Sequence, residues 1–297
     1  RQKSATKTTR QTLRIRTIIF PPPINAMIPQ WPAQIHLKCY RSIPGRPIEG
    51  ITTMKYFINV LRSQLAFFTV LMLLAGSVFP ALATAETIAI IGTGDVADAL
   101  GPKFAGLGHK IVYGSRGPAR QKVVDLVERT ESGATALMPA EAAAAADIIV
   151  LAVPGILVQS ITEGLGDLSG KIIIDPTNPL GEGEDGLFTS LVSTSNAKII
   201  QAAAPQAFVV KAFNTLNWMT MVDPDSAGGP VSIPLVGDSE AAKETVAALV
   251  SGIGLEPIDL GPLHHARHVE GMLILWINNR FRGGESYDYY LRKSPSD

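Results

Sequence analysis

The sequence predicts a doubly wound α/β fold with a mainly parallel sheet and a small C-terminal α/β extension. Three observations carry this. Thr87-Ile88-Ala89-Ile90-Ile91 runs directly into Gly92-Thr93-Gly94-Asp95-Val96-Ala97. Four apolar residues in succession describe a strand covered on both faces, and Val96, Ala97 and Leu100 open a helical period. Similar apolar runs recur at 110–114, 147–153, 171–175 and 208–213, separated by stretches of helical spacing, which is the alternation of βαβ units. Finally, the glycines stand at the seam between the first strand and the first helix.

The glycine turn comes first in the chain. Gly92 permits a tight turn, Gly94 lets the backbone approach a pyrophosphate, and Ala97 keeps the helix close to the strand. The helix then points its unpaired N–H groups and positive dipole end at a phosphate. This is the Rossmann type of dinucleotide site, and the strand Lys110 to Gly114 follows within one βαβ length. An NAD-preferring site places Asp or Glu about 20 residues beyond the glycines, where it accepts from the ribose 2′-hydroxyl. Here the chain has Gly114-Ser115-Arg116-Gly117-Pro118-Ala119-Arg120, a hydroxyl and two guanidinium groups with no carboxylate. Planar donor forks suit a dianionic 2′-phosphate, so the cofactor read from the sequence is NADP(H), held by Ser115, Arg116 and Arg120, with the two arginines one helical turn apart. The competing reading makes both arginines ordinary solvated residues at the start of the second helix.

Gln121 to Thr130 has helical spacing, and Ala142 to Ala146 is the tail of a further helix. Asp147 to Val153 is the third strand, stopped by Pro154. Its carboxyl end falls at the same edge as Gly92, where ligands sit in such sheets, so Ala152, Val153 and Pro154 are candidates for contact with the ribose or nicotinamide. Ile156 to Leu165 reads as a crossover helix, and Lys171 to Asp175 as the fourth strand, leading into Pro176-Thr177-Asn178-Pro179. Gly181 to Gly186 is too rich in glycine and carboxylates for regular structure and is expected as an exposed loop; its acids lack the order of a calcium loop. Phe208 to Phe213 is the fifth strand and ends in Asn214 and Thr215, which offer an amide and a hydroxyl to a cofactor ring or its ribose. A strand at Val231 to Val236, a helix from Glu240 to Ser251 capped by Ser239, a strand at Pro257 to Leu260 and a helix from His264 to Phe281 complete the chain. His264, His265 and His268 have no H-E-x-x-H setting and read as solvated surface, so no metal site is expected.

Charge divides the chain. Residues 1–53 carry nine Lys or Arg against one Glu, with Pro21-Pro22-Pro23 and no sustained period, and read as a disordered leader, upstream of a translation start at Met54. Residues 54–85 read as a secretory signal peptide: Lys55 and Arg62, the apolar run Leu65 to Ala75, and Ala83-Thr84-Ala85 as the cleavage pattern. Gly76-Ser77 and Pro80 break that run well short of the roughly 20 residues needed to span a bilayer, so an exported, periplasmic or secreted protein with no remaining span is expected, against the alternatives of an uncleaved anchor or, with the signal unused, a cytoplasmic protein. The body carries fifteen Lys or Arg against twenty-five Asp or Glu. Neither part interleaves basic and aromatic residues, which argues against a nucleic-acid partner. The single cysteine, Cys39, lies in the leader, so the cleaved protein has no thiol for a disulfide, a metal or nucleophilic attack. The expected domains are 86–217, binding NADP, and 218–297, the extension packed on it.

With these residues in place, the body resembles the NADP-dependent reductases of the deazaflavin coenzyme F420, and is similar also to the NADPH-binding domain of the six-transmembrane metalloreductases. The matching pieces are Ile91 to Ala97, Gly114-Ser115-Arg116, Asp175 to Pro179, Val210-Lys211-Ala212-Phe213-Asn214-Thr215, Val236-Gly237-Asp238, and Leu260-Gly261-Pro262-Leu263 to Val269-Glu270. The resemblance implies hydride transfer between NADP(H) and a flavin or deazaflavin, in which the protein positions two cofactors and no side chain is an obligatory acid or base. The body has no Ser/His/Asp arrangement, no paired catalytic carboxylates and no nucleophilic Cys, so orientation is the available source of rate. The resemblance further implies that Thr93, Gly94, Asp95 and Val96 line the pyrophosphate turn and that Ser115, Arg116 and Arg120 hold the 2′-phosphate. Val153, Pro154, Asn214, Thr215 and Leu216 would border the nicotinamide. A small-molecule redox acceptor and a homodimer are the expected partners. Two other readings stand beside it: a non-catalytic NADP(H)-binding sensor or scaffold, and a reductase of small imines or hydroxy acids. The latter needs a sizeable helical domain, whereas 218–297 still alternates strand and helix.

Overall fold

The computed structural model describes residues 85–283 and 287–294; the leader with Cys39, and the signal segment up to its last residue, lie outside the described residues. Strand β1 (Thr87–Ile91) is followed by α1 (Asp95–Gly106), β2 (Lys110–Gly114), α2 (Gln121–Thr130), β3 (Thr135–Leu137), α3 (Pro139–Ala144) and β4 (Ile148–Leu151). A 3-10 turn at Gly155–Leu157 leads into α4 (Val158–Glu163), β5 (Ile172–Asp175), the hairpin β6 (Leu180–Glu182) and β7 (Phe188–Ser190), α5 (Asn196–Ala203) and β8 (Phe208–Lys211). The chain continues through α6 (Trp218–Val222), β9 (Ser232–Gly237), α7 (Glu240–Gly252), β10 (Glu256–Asp259) and α8 (Ala266–Phe281).

The main sheet has the order β10-β9-β8-β5-β4-β1-β2-β3. From β3 to β8 every pairing is parallel. The chain moves outward from β1 through β2 to β3, then crosses back to β4 on the other side of β1. That reversal opens a crevice at the carboxyl ends of β1 and β4, the position where doubly wound sheets bind ligands. At the far edge β9 runs antiparallel to β8, and β10 parallel to β9.

Continuous apolar strands follow from helices covering both faces. Ile88 and Ile90 point into one cluster with Leu100, Phe104 and Tyr113, while Ala89 and Ile91 point into the other with Ile149, Leu151 and Ile200. Alternate residues of one strand thus serve two cores, and neither side of β1 can be polar. Helix α1 packs closely because Gly101 has no side chain: a Cβ there would lie 1.8 Å from Tyr113 Oη. That hydroxyl is in turn hydrogen-bonded with Thr130 Oγ1 at 2.7 Å. Ser239 caps α7 by accepting from the Ala242 N–H at 3.3 Å. No helix among the described residues is long and apolar enough to cross a membrane.

Several elements differ from the sequence expectation. The stretch expected as a loop at 181–186 instead starts inside a hairpin, with Gly181 opposite Thr189 and Glu182 opposite Phe188. Its stability is tertiary: the Phe188 N–H donates to Asn278 Oδ1 at 2.7 Å, and Asn278 Nδ2 donates to the Phe188 carbonyl at 2.8 Å. Strand β3 and helices α5 and α6 were not anticipated. The crossover expected at 156–165 is a 3-10 turn followed by the short α4.

Candidate functional site

A cleft of about 740 Å³ opens at the carboxyl ends of β1, β2 and β4, in the range of small-molecule sites. Its floor is the β1–α1 turn. Gly92 has φ +116°, and a Cβ there would lie 2.1 Å from the carbonyl oxygen of Ala152, so only glycine fits. Its N–H donates to the Gly114 carbonyl at 2.9 Å, which ties the turn to the end of β2. Gly94 precedes α1, brings no side chain to cap it, and would point a Cβ into open space. The first-turn N–H groups of α1 have no intrahelical partners, so the turn offers donors and a positive dipole end to an anion. Thr93 and Gly94 line the cleft. Asp95 and Val96 do not; they lie in the first turn of α1, Asp95 exposed and Val96 packed against the core.

The second wall is the turn after β2. Arg116 and Arg120 do not stand on a helix as their spacing suggested. Gly117 and Pro118 hold the chain in a turn, Arg120 is the extended residue before α2, and its guanidinium folds back on Ser115 Oγ at 3.4 Å and on the Gly117 carbonyl. The buried Ser115 donates its N–H to the Leu137 carbonyl, and its Oγ also accepts from the Gly117 N–H at 3.2 Å. Arg116 is exposed and has no hydrogen-bond or ion-pair partner among the described residues. Among the described residues, Arg116 and Arg120 are the only ionisable ones that line the cleft.

The remaining walls are mostly apolar and were not read from the sequence: Met138, Pro139 and Ala140 on one side, with Leu157, Ile161 and Leu165, interrupted by Ser160, beside Val153 and Pro154 on the other. A signal for the first group was present. Pro139 opens α3 and Glu141 Oε2 accepts from the Met138 N–H at 3.1 Å, a helix-start pattern that fixes this segment beside β2.

Beyond Pro154 the edge continues through the ends of β5 and β8. Asn214 does not offer its amide freely, as the sequence suggested. It is buried, and Nδ2 donates to Asn178 Oδ1 at 3.0 Å and to the Val269 carbonyl at 3.1 Å. Asn178 Nδ2 returns a bond to the Asn214 carbonyl at 3.2 Å. Asn214 therefore joins the β5 and β8 turns to α8, and its Oδ1 is left without a partner. Thr215 is half-buried next to it, and Leu216 packs against the core; none of these three lines the cleft.

Beneath these turns lies a charge cluster that the sequence reading missed. Lys211 and Asp175 are completely buried and pair at 2.8 Å, and Glu270 from α8 pairs with Lys211 at 2.8 Å. Its signal was a charged residue ending each of two apolar strands that prove to be in register, Asp175 opposite Lys211. Thr177 donates both its N–H and its hydroxyl to Asp175 Oδ1, and Glu270 accepts from the Asn196 N–H at 2.9 Å. Burial pushes the Glu270 carboxyl above its ordinary value against the opposing pull of Lys211. His264, His265 and His268 are exposed, and His265 Nδ1 lies 2.6 Å from the Leu260 carbonyl. Among the described residues no group of three or more His, Cys, Asp or Glu is placed to hold a metal.

The family described as NADP oxidoreductase, coenzyme F420-dependent, matches residues 87–179. The F420-dependent NADP reductase of Methanothermobacter marburgensis is 30% identical over 217 residues, covering 66% of this chain and 94% of that protein. The chain belongs to this family of NADP-dependent oxidoreductases. A solved structure from Arthrobacter sp., described as an F420-dependent NADP reductase, matches with a TM-score of 0.64 at 32% identity, covering 70% of this chain and 100% of that one. Metalloreductase STEAP3 of Rattus norvegicus is 31% identical over 189 residues, which are 63% of this chain and 36% of that protein. The chain thus spans about a third of that metalloreductase's length.

Proposed function

We propose that this protein binds NADP(H) in the cleft and passes a hydride between its nicotinamide and a flavin or deazaflavin acceptor. The observation that carries the reading is a cleft floored by a glycine turn and a helix N-terminus, whose only ionisable lining residues among those described are Arg116 and Arg120. The donors of the turn from Thr93 to Val96 suit the pyrophosphate, and Ser115, Arg116 and Arg120 suit the 2′-phosphate. The apolar walls suit a flat adenine ring. With the adenosine half beside β2, the other half runs past Val153 and Pro154 toward β5 and β8, where Asn214, Thr215 and Leu216 support the wall.

The hydride chemistry belongs to the bound cofactors. The chain's own work is to hold the dinucleotide at both ends, to exclude water with apolar walls and to leave one ring face open. Among the described residues, no His, Cys, Asp, Glu, Lys or Tyr lines the cleft. Relatives named for coenzyme F420 and for metal reduction differ in acceptor, so the test is an assay of NADPH oxidation with deazaflavin, flavin and ferric acceptors, beside dissociation constants for NADPH and NADH. Turnover of a flavin-type acceptor with a preference for NADPH is expected. Tighter binding of NADH would overturn the assignment, and tight NADPH binding without turnover would favour a sensor.

The same reading includes export through the signal segment 54–85 and assembly as a homodimer. The mass of the native protein's N-terminal peptide and sedimentation equilibrium test these; an N-terminus before Met54, or a monomer at micromolar concentration, would remove them.

A further inference from the structure

The cluster of Asp175, Lys211 and Glu270 lies outside the cleft, and the proposed mechanism does not use it. All three side chains are buried, yet apolar residues would fill the same space without the cost of stripping water from three charges. What sets the cluster apart is where its hydrogen bonds lead. Asp175 Oδ1 accepts from the N–H and hydroxyl of Thr177, at 2.8 and 2.6 Å, and Lys211 Nζ donates to the Thr177 carbonyl. The cluster thus grips Thr177 by three atoms. Glu270 holds the first turn of α5 through the Asn196 N–H, and the Asn196 side chain bridges outward, donating to Thr177 Oγ1 at 2.8 Å and to the Gly155 carbonyl at 3.1 Å. Gly155 itself is wedged in: a Cβ there would lie 1.9 Å from the Asn178 carbonyl oxygen.

Those two segments, Pro154-Gly155 after β4 and Thr177-Asn178 after β5, adjoin at the sheet edge where the cleft ends at Pro154. A dinucleotide with its pyrophosphate on α1 and its adenosine beside β2 must extend across them, because β4, β5 and β8 follow one another on that side of β1. We propose that Asp175, Lys211 and Glu270, acting through Asn196 and Thr177, are positioning residues for the nicotinamide half of the site. They set the angle at which the ring presents its face, while the adenosine half depends on the separate glycine turn and arginines. The inference rests on the NADP(H) reading above.

The experiment compares full-length Glu270→Ala, Glu270→Gln and Asn196→Ala with wild type, using two probes. Adenosine 2′,5′-bisphosphate fills only the adenosine half, and the emission and anisotropy of bound NADPH report the surroundings of the reduced nicotinamide ring. In Glu270→Ala and Asn196→Ala the bisphosphate should bind within about twofold of wild type, as expected of distant, independent sites. Bound NADPH should shift toward the emission and low anisotropy of free cofactor. Gln at 270 keeps an oxygen for Lys211 and for the Asn196 N–H, so Glu270→Gln should restore the wild-type signal. Asn196→Ala leaves all three charges paired and remains informative if Glu270→Ala does not fold. Wild-type ring emission in Asn196→Ala, or an equal loss of both probes, would overturn the positioning role. Failure of wild type to bind either probe would instead overturn the NADP(H) reading itself.

Discussion

Arg116 is free in solvent, whereas Arg120 is folded onto the turn that carries it. The two arginines should therefore respond differently to removal. On the proposed reading Arg116→Ala takes away a charge-assisted contact to the 2′-phosphate and nothing else, so NADPH should weaken about ten- to a hundredfold, roughly 1.5 to 3 kcal/mol, with NADH and the melting temperature unchanged. Arg120→Ala also releases Ser115, so both nucleotides should weaken; titration of each variant with both nucleotides separates the two cases. At Glu270 the prediction concerns pH. Folding raises this carboxyl above its ordinary 4.5, so the folded state favours the protonated form. Its contribution is full below about that pH and is lost as pH rises through the folded value. Wild type should therefore lose stability relative to Glu270→Gln as pH rises from 4.5, read from urea midpoints; a constant gap would contradict this. Legibility at this scale followed chain distance. Gly92, Ser115, Arg116 and Arg120 could be brought to the cleft from sequence because each belongs to a short turn that is contiguous in the chain. Leu157 and Ile161 carry no chemical signature, and Asn214 is held by Asn178 and Val269, residues far along the chain.

Among the elements, α1 owes its position to one residue. Ala at 101 would favour an isolated helix by about 1 kcal/mol, but its Cβ would strike a fully buried phenol. Overpacking of that kind costs about 1–3 kcal/mol, so Gly101→Ala should be net destabilising and lower the midpoint of thermal unfolding. Restoring space with Gly101→Ala/Tyr113→Phe should recover part of the loss, since the nearest atom is the Tyr113 hydroxyl. The long apolar strands were legible because burial on both faces leaves a continuous run. The hairpin β6–β7 was not, because Gly181 to Gly186 carries loop chemistry and its pairing is held by Asn278 from a helix almost a hundred residues later. Strand β3 was missed for another reason: Thr135-Ala136-Leu137 is three residues long at a sheet edge and too short to show a period.

Across the whole molecule, βαβ alternation defines the parallel strands, but sequence does not give a strand its direction. Ser232 to Gly237 reads equally well either way, and its antiparallel pairing with β8 emerges only in three dimensions. The buried cluster of Asp175, Lys211 and Glu270 draws one residue from each of β5, β8 and α8, and α8 is the last regular element described. That has a consequence for the order of synthesis. A nascent chain that has emerged only to Asp259 contains every strand of the main sheet, including the glycine turn and both arginines, but Lys211 has a single carboxylate and the first turn of α5 meets none. On the proposed reading the adenosine half can then be complete on the ribosome while the nicotinamide half still waits for α8. Ribosome-bound chains arrested so that residues up to 259 have emerged should retain adenosine 2′,5′-bisphosphate but fail to immobilise the nicotinamide of NADPH, and an ordered ring in such chains would exclude this sequence of events. On this account a nascent protein acquires the means to hold its nucleotide before it acquires the means to use it.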